Sequence, residues 1–186
     1  VIFCGLLIVL LLIPGPLLAF GKVVLPSRPP IAATGIILDQ DQVRRELQEI
    51  IPGLGVEDIG FSDYRYSPVA EAHVHTYAQW YARYVLTRLR PHENGSYYRK
   101  EAIDCEKFAN LWVSLLAFSL DPAFPAAGPL VGIIRFYPGK DAEYHAGIVW
   151  RGESGYYYLE PQARLHPEWR SLKELTIADG MVRVSF

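Results

Sequence analysis

The sequence predicts an α+β fold, with N-terminal helices packed on a C-terminal antiparallel β-sheet. Two observations carry this. Between residues 39 and 118, apolar side chains recur at three- and four-residue intervals, the spacing of one helix face. From Val131 onward the pattern becomes short runs rich in β-branched and aromatic residues, 131–137, 144–150 and 156–160, broken by Gly, Pro and Asp turns. Helices in one block and strands in the next, with no internal repeat, indicate α+β rather than an alternating parallel sheet. The 186 residues suit one such domain plus an N-terminal extra.

Residues 1–20 carry no charge, and Val1 to Ile13 is continuously apolar. Such a run has the length of a signal-peptide core, and Ala19 and Gly21 supply small residues before Lys22. The expectation is a secretory signal peptide or a single membrane anchor over residues 1–21. The catalytic part would then be secreted or anchored outside the cytoplasm. Residues 22–38, with Pro26, Pro29 and Pro30, read as an extended linker, and Ala33 to Leu38 as its end or a short strand. The domain proper would occupy 39–186.

The first helix, 39–51, has Asp39 or Asp41 as cap, Val43, Leu47, Ile50 and Ile51 as its stripe, and Pro52-Gly53 as its stop. After a loop over 53–66, Ser67-Pro68 predicts a helix start with Pro at the first position. That helix would run to Arg90, ~34 Å at ~1.5 Å per residue, as a long central helix. Asn94-Gly95-Ser96 matches a glycosylation acceptor. The third helix lies within 101–118, with Phe108, Leu111, Trp112, Leu115 and Leu116 as its stripe. Beyond the three strand runs, 167–174 reads as a short helix and 181–186 as a closing strand.

The net charge of −2 argues against nucleic acid as a partner. One cysteine in the globular part and scattered histidines lack zinc-ligand spacing; His73 and His75, two apart, do not share a helix face. The twelve tyrosines offer apolar area with polar tips, suited to paving strands or to a groove for peptide or sugar. Cys4 lies in the apolar stretch, so Cys105 has no disulfide partner within the domain.

Asp104 is a good N-cap residue, which puts Cys105 in the first turn of its helix. There, unpaired N–H groups and the positive dipole end favour a thiolate, the nucleophilic form. If Trp150 and Gly155 close the second hairpin, His145 faces Glu160 on one side of the sheet, with Gly147 leaving room beside them. A register slip of two keeps the pair together and a slip of one separates it. With the Cys105 helix on that face, a Cys105–His145–Glu160 triad results. Cys105 would attack, His145 would move the proton, and Glu160 would fix the imidazole. The Cys105 N–H and the Gln162 amide are the oxyanion candidates. Singly, each residue also fits a bland role: a buried core cysteine, a strand histidine, a surface carboxylate.

The segments Asp104-Cys105-Glu106-Lys107-Phe108-Ala109, His145-Ala146-Gly147 and Leu159-Glu160-Pro161-Gln162 resemble the papain-like C-terminal domain of the Marasmius oreades agglutinin family over about residues 60–165. The resemblance implies a papain-like fold, Cys105, His145 and Glu160 as triad, and Gln162 beside the site. The chemistry itself needs no cofactor. The fungal members are calcium-dependent cysteine proteases, so the resemblance adds calcium, for which Asp39, Asp41, Glu57, Asp58 and Asp63 are the acidic candidates. The resemblance does not extend to a β-trefoil domain, so it does not imply sugar binding.

The functional expectation is an exported or membrane-anchored papain-like cysteine peptidase. It would hydrolyse peptide bonds of a protein or peptide substrate through a thioester acyl-enzyme. The alternatives are a peptidoglycan amidase or endopeptidase of CHAP or NlpC type, a non-catalytic peptide- or glycan-binding module, and a transglutaminase-like acyl transferase.

Overall fold

The computed structural model describes residues 26–88, 104–139, 143–162, 167, 169–175, 177 and 182–186. The expected signal or anchor and the Asn94 acceptor lie outside these residues. Among the described residues, no helix is long and apolar enough to cross a membrane.

The elements, in chain order, are β1 (Leu38–Asp39), α1 (Gln40–Ile50), β2 (Ile59–Gly60), β3 (Arg65–Ser67), α2 (Glu71–Tyr84), α3 (Cys105–Ala117), β4 (Gly128–Pro129), β5 (Val131–Phe136), β6 (His145–Arg151), β7 (Tyr156–Leu159), β8 (Trp169–Ser171) and β9 (Arg183–Ser185). The expected α+β fold is present. Its main sheet has six strands in the order β2-β9-β5-β6-β7-β8, and a small sheet joins β1, β3 and β4. The main sheet is antiparallel except where β2, from the expected 53–66 loop, pairs parallel with β9.

The sheet divides two cores. On one side, Ala146, Ile148 and Trp150 of β6 and Val131 and Ile133 of β5 meet α2 and α3 through Val74, Tyr77, Phe108, Ala109 and Trp112. On the other, Ile134, Phe136, Val149, Tyr156 and Tyr158 meet Val43 and Leu47 of α1. Alternation along each strand produces this division. Full burial of such large side chains is worth about 1.5–3 kcal/mol each. In α3 the buried stripe is Cys105, Phe108, Ala109, Trp112 and Leu116, whereas the expected Leu111 is 37% exposed. Trp112 meets Tyr77 edge-on at 4.8 Å, and the Tyr77 hydroxyl donates to the Trp112 carbonyl at 3.2 Å.

Helix α1 matches its expected span. Asp39 Oδ1 accepts from the Gln42 N–H, and Gln42 Oε1 accepts from the Asp39 N–H, both at 2.8 Å. This reciprocal cap satisfies two otherwise orphaned donors.

The long central helix is corrected. It starts at Glu71, and its 14 residues make a helix of ~21 Å. Residues 67–70 are extended because distant segments take their backbone groups. Leu130 N–H donates to Ser67 O at 2.8 Å, Val69 N–H to Arg151 O at 2.9 Å, and Ala70 N–H to Ala32 O at 2.9 Å. The helix start is capped from afar: the Glu71 N–H donates to Glu153 Oε2 at 2.9 Å, and Glu71 Oε1 accepts from Ser154 N–H at 2.8 Å.

Two further expectations differ. Ile31, in the stretch read as a linker, is fully buried and bonds through its backbone to Ser119 O at 2.7 Å and Asp121 N at 2.9 Å. The short helix over 167–174 is instead strand β8, paired with β7, followed by one 3₁₀ turn over Leu172–Glu174.

Candidate active site

The site gathers at one end of β6, where the start of α3 meets the first residue of the strand. Asp104 caps α3, its Oδ1 accepting from Lys107 N–H at 2.9 Å. That bond, followed by the Lys107 side chain, holds the Asp104 carboxyl below the usual carboxylate range. Cys105 therefore takes the first helical position, where helix geometry offers its N–H no internal acceptor. Its side chain is buried, with the residue 8% exposed, and Sγ lies 4.0 Å from the Tyr144 carbonyl oxygen. Glu106 anchors this helix end to the sheet. Its Oε1 accepts from Arg135 Nε at 3.0 Å and Nη2 at 2.9 Å, while Arg135 Nη1 donates to Ser185 Oγ at 2.9 Å.

His145 opens β6 and pairs with Phe136 of β5, whose ring meets the imidazole edge-on at 5.7 Å. Its Nε2 lies 2.6 Å from Glu160 Oε2 and 3.2 Å from the Tyr158 hydroxyl. With Nε2 so engaged, Nδ1 is the nitrogen left for the thiol. The pKa of His145 is raised from 6.5 to about 9. The neighbouring Cys105 contributes most and the hydrogen bond with Glu160 next, while burial opposes both. Glu160 is held in turn: Tyr158 donates to Oε2 at 2.9 Å and the Gln162 main-chain N–H to Oε1 at 3.1 Å. Burial, then Glu160, pushes the Tyr158 hydroxyl far above its ordinary pKa, so it stays a donor.

Cys105, His145 and Glu160 are thus neighbours, by a route that differs from expectation in two ways. The hairpin register is shifted by two residues, with Arg151 opposite Tyr156 and Ile148 opposite Leu159. Continuing it brings Gly147 level with Glu160 and leaves His145 diagonal on the same face, as a two-residue slip requires. The expected position of the cysteine helix is also corrected. It covers the Ala146, Ile148 and Trp150 face, not the His145 face. Side chains alternate across a strand, so the thiol reaches the imidazole around the end of β6, where Cys105 heads its helix.

Gln162 is placed beside Glu160 through its backbone rather than through its side-chain amide. Tyr158 is the polar residue that sequence reasoning missed. A methyl group at Gly147 would collide with its ring, so this glycine is what lets Tyr158 lie flat over β6 and reach His145 and Glu160. A glycine two residues after a strand histidine was the available signal. Among the described residues, no group of three or more His, Cys, Asp or Glu could hold a metal ion. Asp39 caps α1, Asp41 pairs with Arg44, and Asp58 accepts from Gly55 N–H at 3.2 Å.

No protein-family model matches the chain. No curated protein matches it either. Among solved structures it is similar to one described as a PSL1a-E64 complex, with a TM-score of 0.55 and 15% sequence identity, over 81% of this chain and 50% of that one. The chain thus spans half the length of that protein. The likeness is one of fold, and it fits a papain-like α+β architecture.

Proposed function

We propose that the chain is a papain-like cysteine hydrolase acting on peptide amide bonds, with Cys105 as nucleophile, His145 as acid–base and Glu160 as the group that orients it. The observation that carries this reading is the placement of His145 between a helix-start thiol and a carboxylate 2.6 Å from Nε2, with its pKa raised to about 9. An imidazolium beside a thiol favours the thiolate. The fold neighbour supports the reading, since E64 is a cysteine protease inhibitor.

In the proposed reaction, Sγ of Cys105 attacks the substrate carbonyl carbon. The oxyanion accepts from the Cys105 N–H. His145 then gives its Nδ1 proton to the departing nitrogen as the C–N bond breaks, leaving a thioester. Water, losing a proton to His145, hydrolyses the thioester and restores the thiol.

The test is covalent labelling. The parent protein should take up one E64 molecule on Cys105, seen by mass spectrometry of the cysteine peptide. Iodoacetamide should modify Cys105 rapidly well below pH ~8.5, the ordinary free-thiol value. Both reactions should slow in His145→Ala. Labelling at the pace of an ordinary thiol, unaffected by that substitution, would overturn the proposal and leave a structural cysteine. Parallel incubation with peptide mixtures and with peptidoglycan separates protein cleavage from wall cleavage.

A further inference from the structure

A cleft of about 660 Å³ adjoins the site, within the range of small-ligand pockets. Its lining includes His145, Tyr158 and Glu160 together with Phe136, Trp169 and Arg170, and it does not include Cys105. That asymmetry has a chemical meaning. In an acyl transfer, the acyl part stays on the thiol and the departing amine stays beside the acid that protonates it. A cleft bordered by the imidazole, Tyr158 and Glu160 and not by the sulfur lies beyond the histidine from the thiol, where the departing part of a substrate would extend.

The walls define what fits. Phe136 and Trp169 are apolar, as are Pro138 and Pro167. Trp169 is held in place by His75 of α2, whose ring stacks on the indole at 3.9 Å and 15°. Burial lowers the His75 pKa, so this backing is uncharged near neutrality. Arg170 is the exposed cation of the cleft, its guanidinium 5.4 Å from the centre of the Tyr158 ring. Among the described residues no carboxylate lies within ion-pair distance of it. The carboxylate in the lining, Glu160, is engaged by His145, Tyr158 and Gln162.

We propose that this cleft is a leaving-group subsite for an apolar or aromatic residue carrying a carboxylate, with Arg170 as the specificity-determining residue. The carboxylate is either the terminal one of a peptide or that of an acidic side chain. The inference rests on the hydrolase reading above for its assignment to the leaving group. A guanidinium–carboxylate contact at a partly exposed site gives a modest gain, so about a fivefold preference is expected.

The experiment is calorimetric titration of the full chain carrying Cys105→Ala with three dipeptides. These are Leu-Phe with a free carboxylate, Leu-Phe amide, and Leu-Glu amide. Leu-Phe acid should bind about fivefold tighter than its amide, and adding Arg170→Ala should erase the difference while Arg170→Lys keeps part of it. Tight binding of Leu-Glu amide would assign the side-chain carboxylate as the source, and weak binding the terminal one. Equal binding of acid and amide, absence of binding, or a preference that survives Arg170→Ala would overturn the inference. Iodoacetamide labelling of the parent separates the two readings. A fast Cys105 with no carboxylate preference sinks the subsite alone. A carboxylate preference with an ordinary thiol sinks the hydrolase and leaves a binding cleft.

Discussion

Replacing Glu160 by Gln keeps the shape of the side chain and removes the charge that faces His145. The 2.6 Å contact to Nε2 then loses its charge-assisted character, as do the bonds from Tyr158 at 2.9 Å and Gln162 N–H at 3.1 Å. A charge-assisted hydrogen bond contributes about 1.5–3 kcal/mol. About 1.4 kcal/mol displaces a titration midpoint by one pH unit. The imidazolium midpoint should therefore fall from about 9 by about 1–2 pH units. It should not fall further, because the larger contribution, from Cys105, remains. The sign follows from the acid form. A raised midpoint keeps the proton on His145 as pH rises, so losing Glu160 releases that proton earlier. The midpoint is read from the pH dependence of the His145 Cε1–H resonance in parent and variant. If an amide substrate is in hand, the basic limb of kcat/KM should move down by the same amount. An unchanged midpoint, or one that rises, would refute the assignment of Glu160 as the partner that holds the imidazolium.

Tyr158→Phe removes one hydroxyl and leaves the ring over Gly147. It should cost about 1 kcal/mol of support to the His145–Glu160 pair, seen as about a fivefold slower alkylation of Cys105 with little change in melting temperature. Gly147→Ala puts a methyl group into the Tyr158 ring. It should lower stability by about 1–3 kcal/mol through overpacking, measured by urea unfolding, and slow Cys105 labelling with it. Arg135→Gln cuts the tie between Glu106 and Ser185. Because the Glu106 carboxylate is about half exposed, with 47% of its side chain accessible, stability should change by only about 0–1 kcal/mol. Labelling of Cys105 should become slower as the start of α3 loosens, and unchanged labelling would remove Arg135 from the site's support.

What was legible in the sequence is what local contacts decide. The cap at Asp39 spans only four residues, and the α1 start can be read from Asp39 and Gln42 alone. The start of α2 cannot. Ser67-Pro68 has the local signature of a helix start, but Leu130, Arg151 and Ala32 claim the backbone of 67–70 in extended form. Nor does the sequence near Glu71 reveal that Glu153 caps the helix. The α3 stripe illustrates a related limit. Large apolar residues draw attention to Leu111, yet the buried face runs through the small Ala109, which lies fully covered in the core between α3 and the sheet.

The candidate site was legible for a different reason. The pairing of His145 with Glu160 depends on strand parity, and parity survives the two-residue shift between the expected and observed hairpins. The wrong face for α3 did not spoil the grouping, because His145 is the first residue of β6. In the middle of a strand, a helix on the Ala146 face could not reach an imidazole on the other, since the sheet would lie between them. At the strand end there is no sheet to cross. The first turn of α3 therefore meets His145 around the edge, while Glu160 and Tyr158 hold the imidazole from the far face. The site thus draws its two halves from opposite sides of the sheet. Cys105 is set by the α3 packing against Ile148 and Trp150, and His145 by the packing of Phe136 and Tyr158 over α1. Substitutions in either core should reach the chemistry by displacing one half relative to the other. Ile148→Ala should do so from the cysteine side, with a loss of about 2–5 kcal/mol in stability and slower Cys105 labelling under conditions where the protein stays folded. Labelling that keeps its parent rate in folded Ile148→Ala would show that the two halves are not coupled through the sheet.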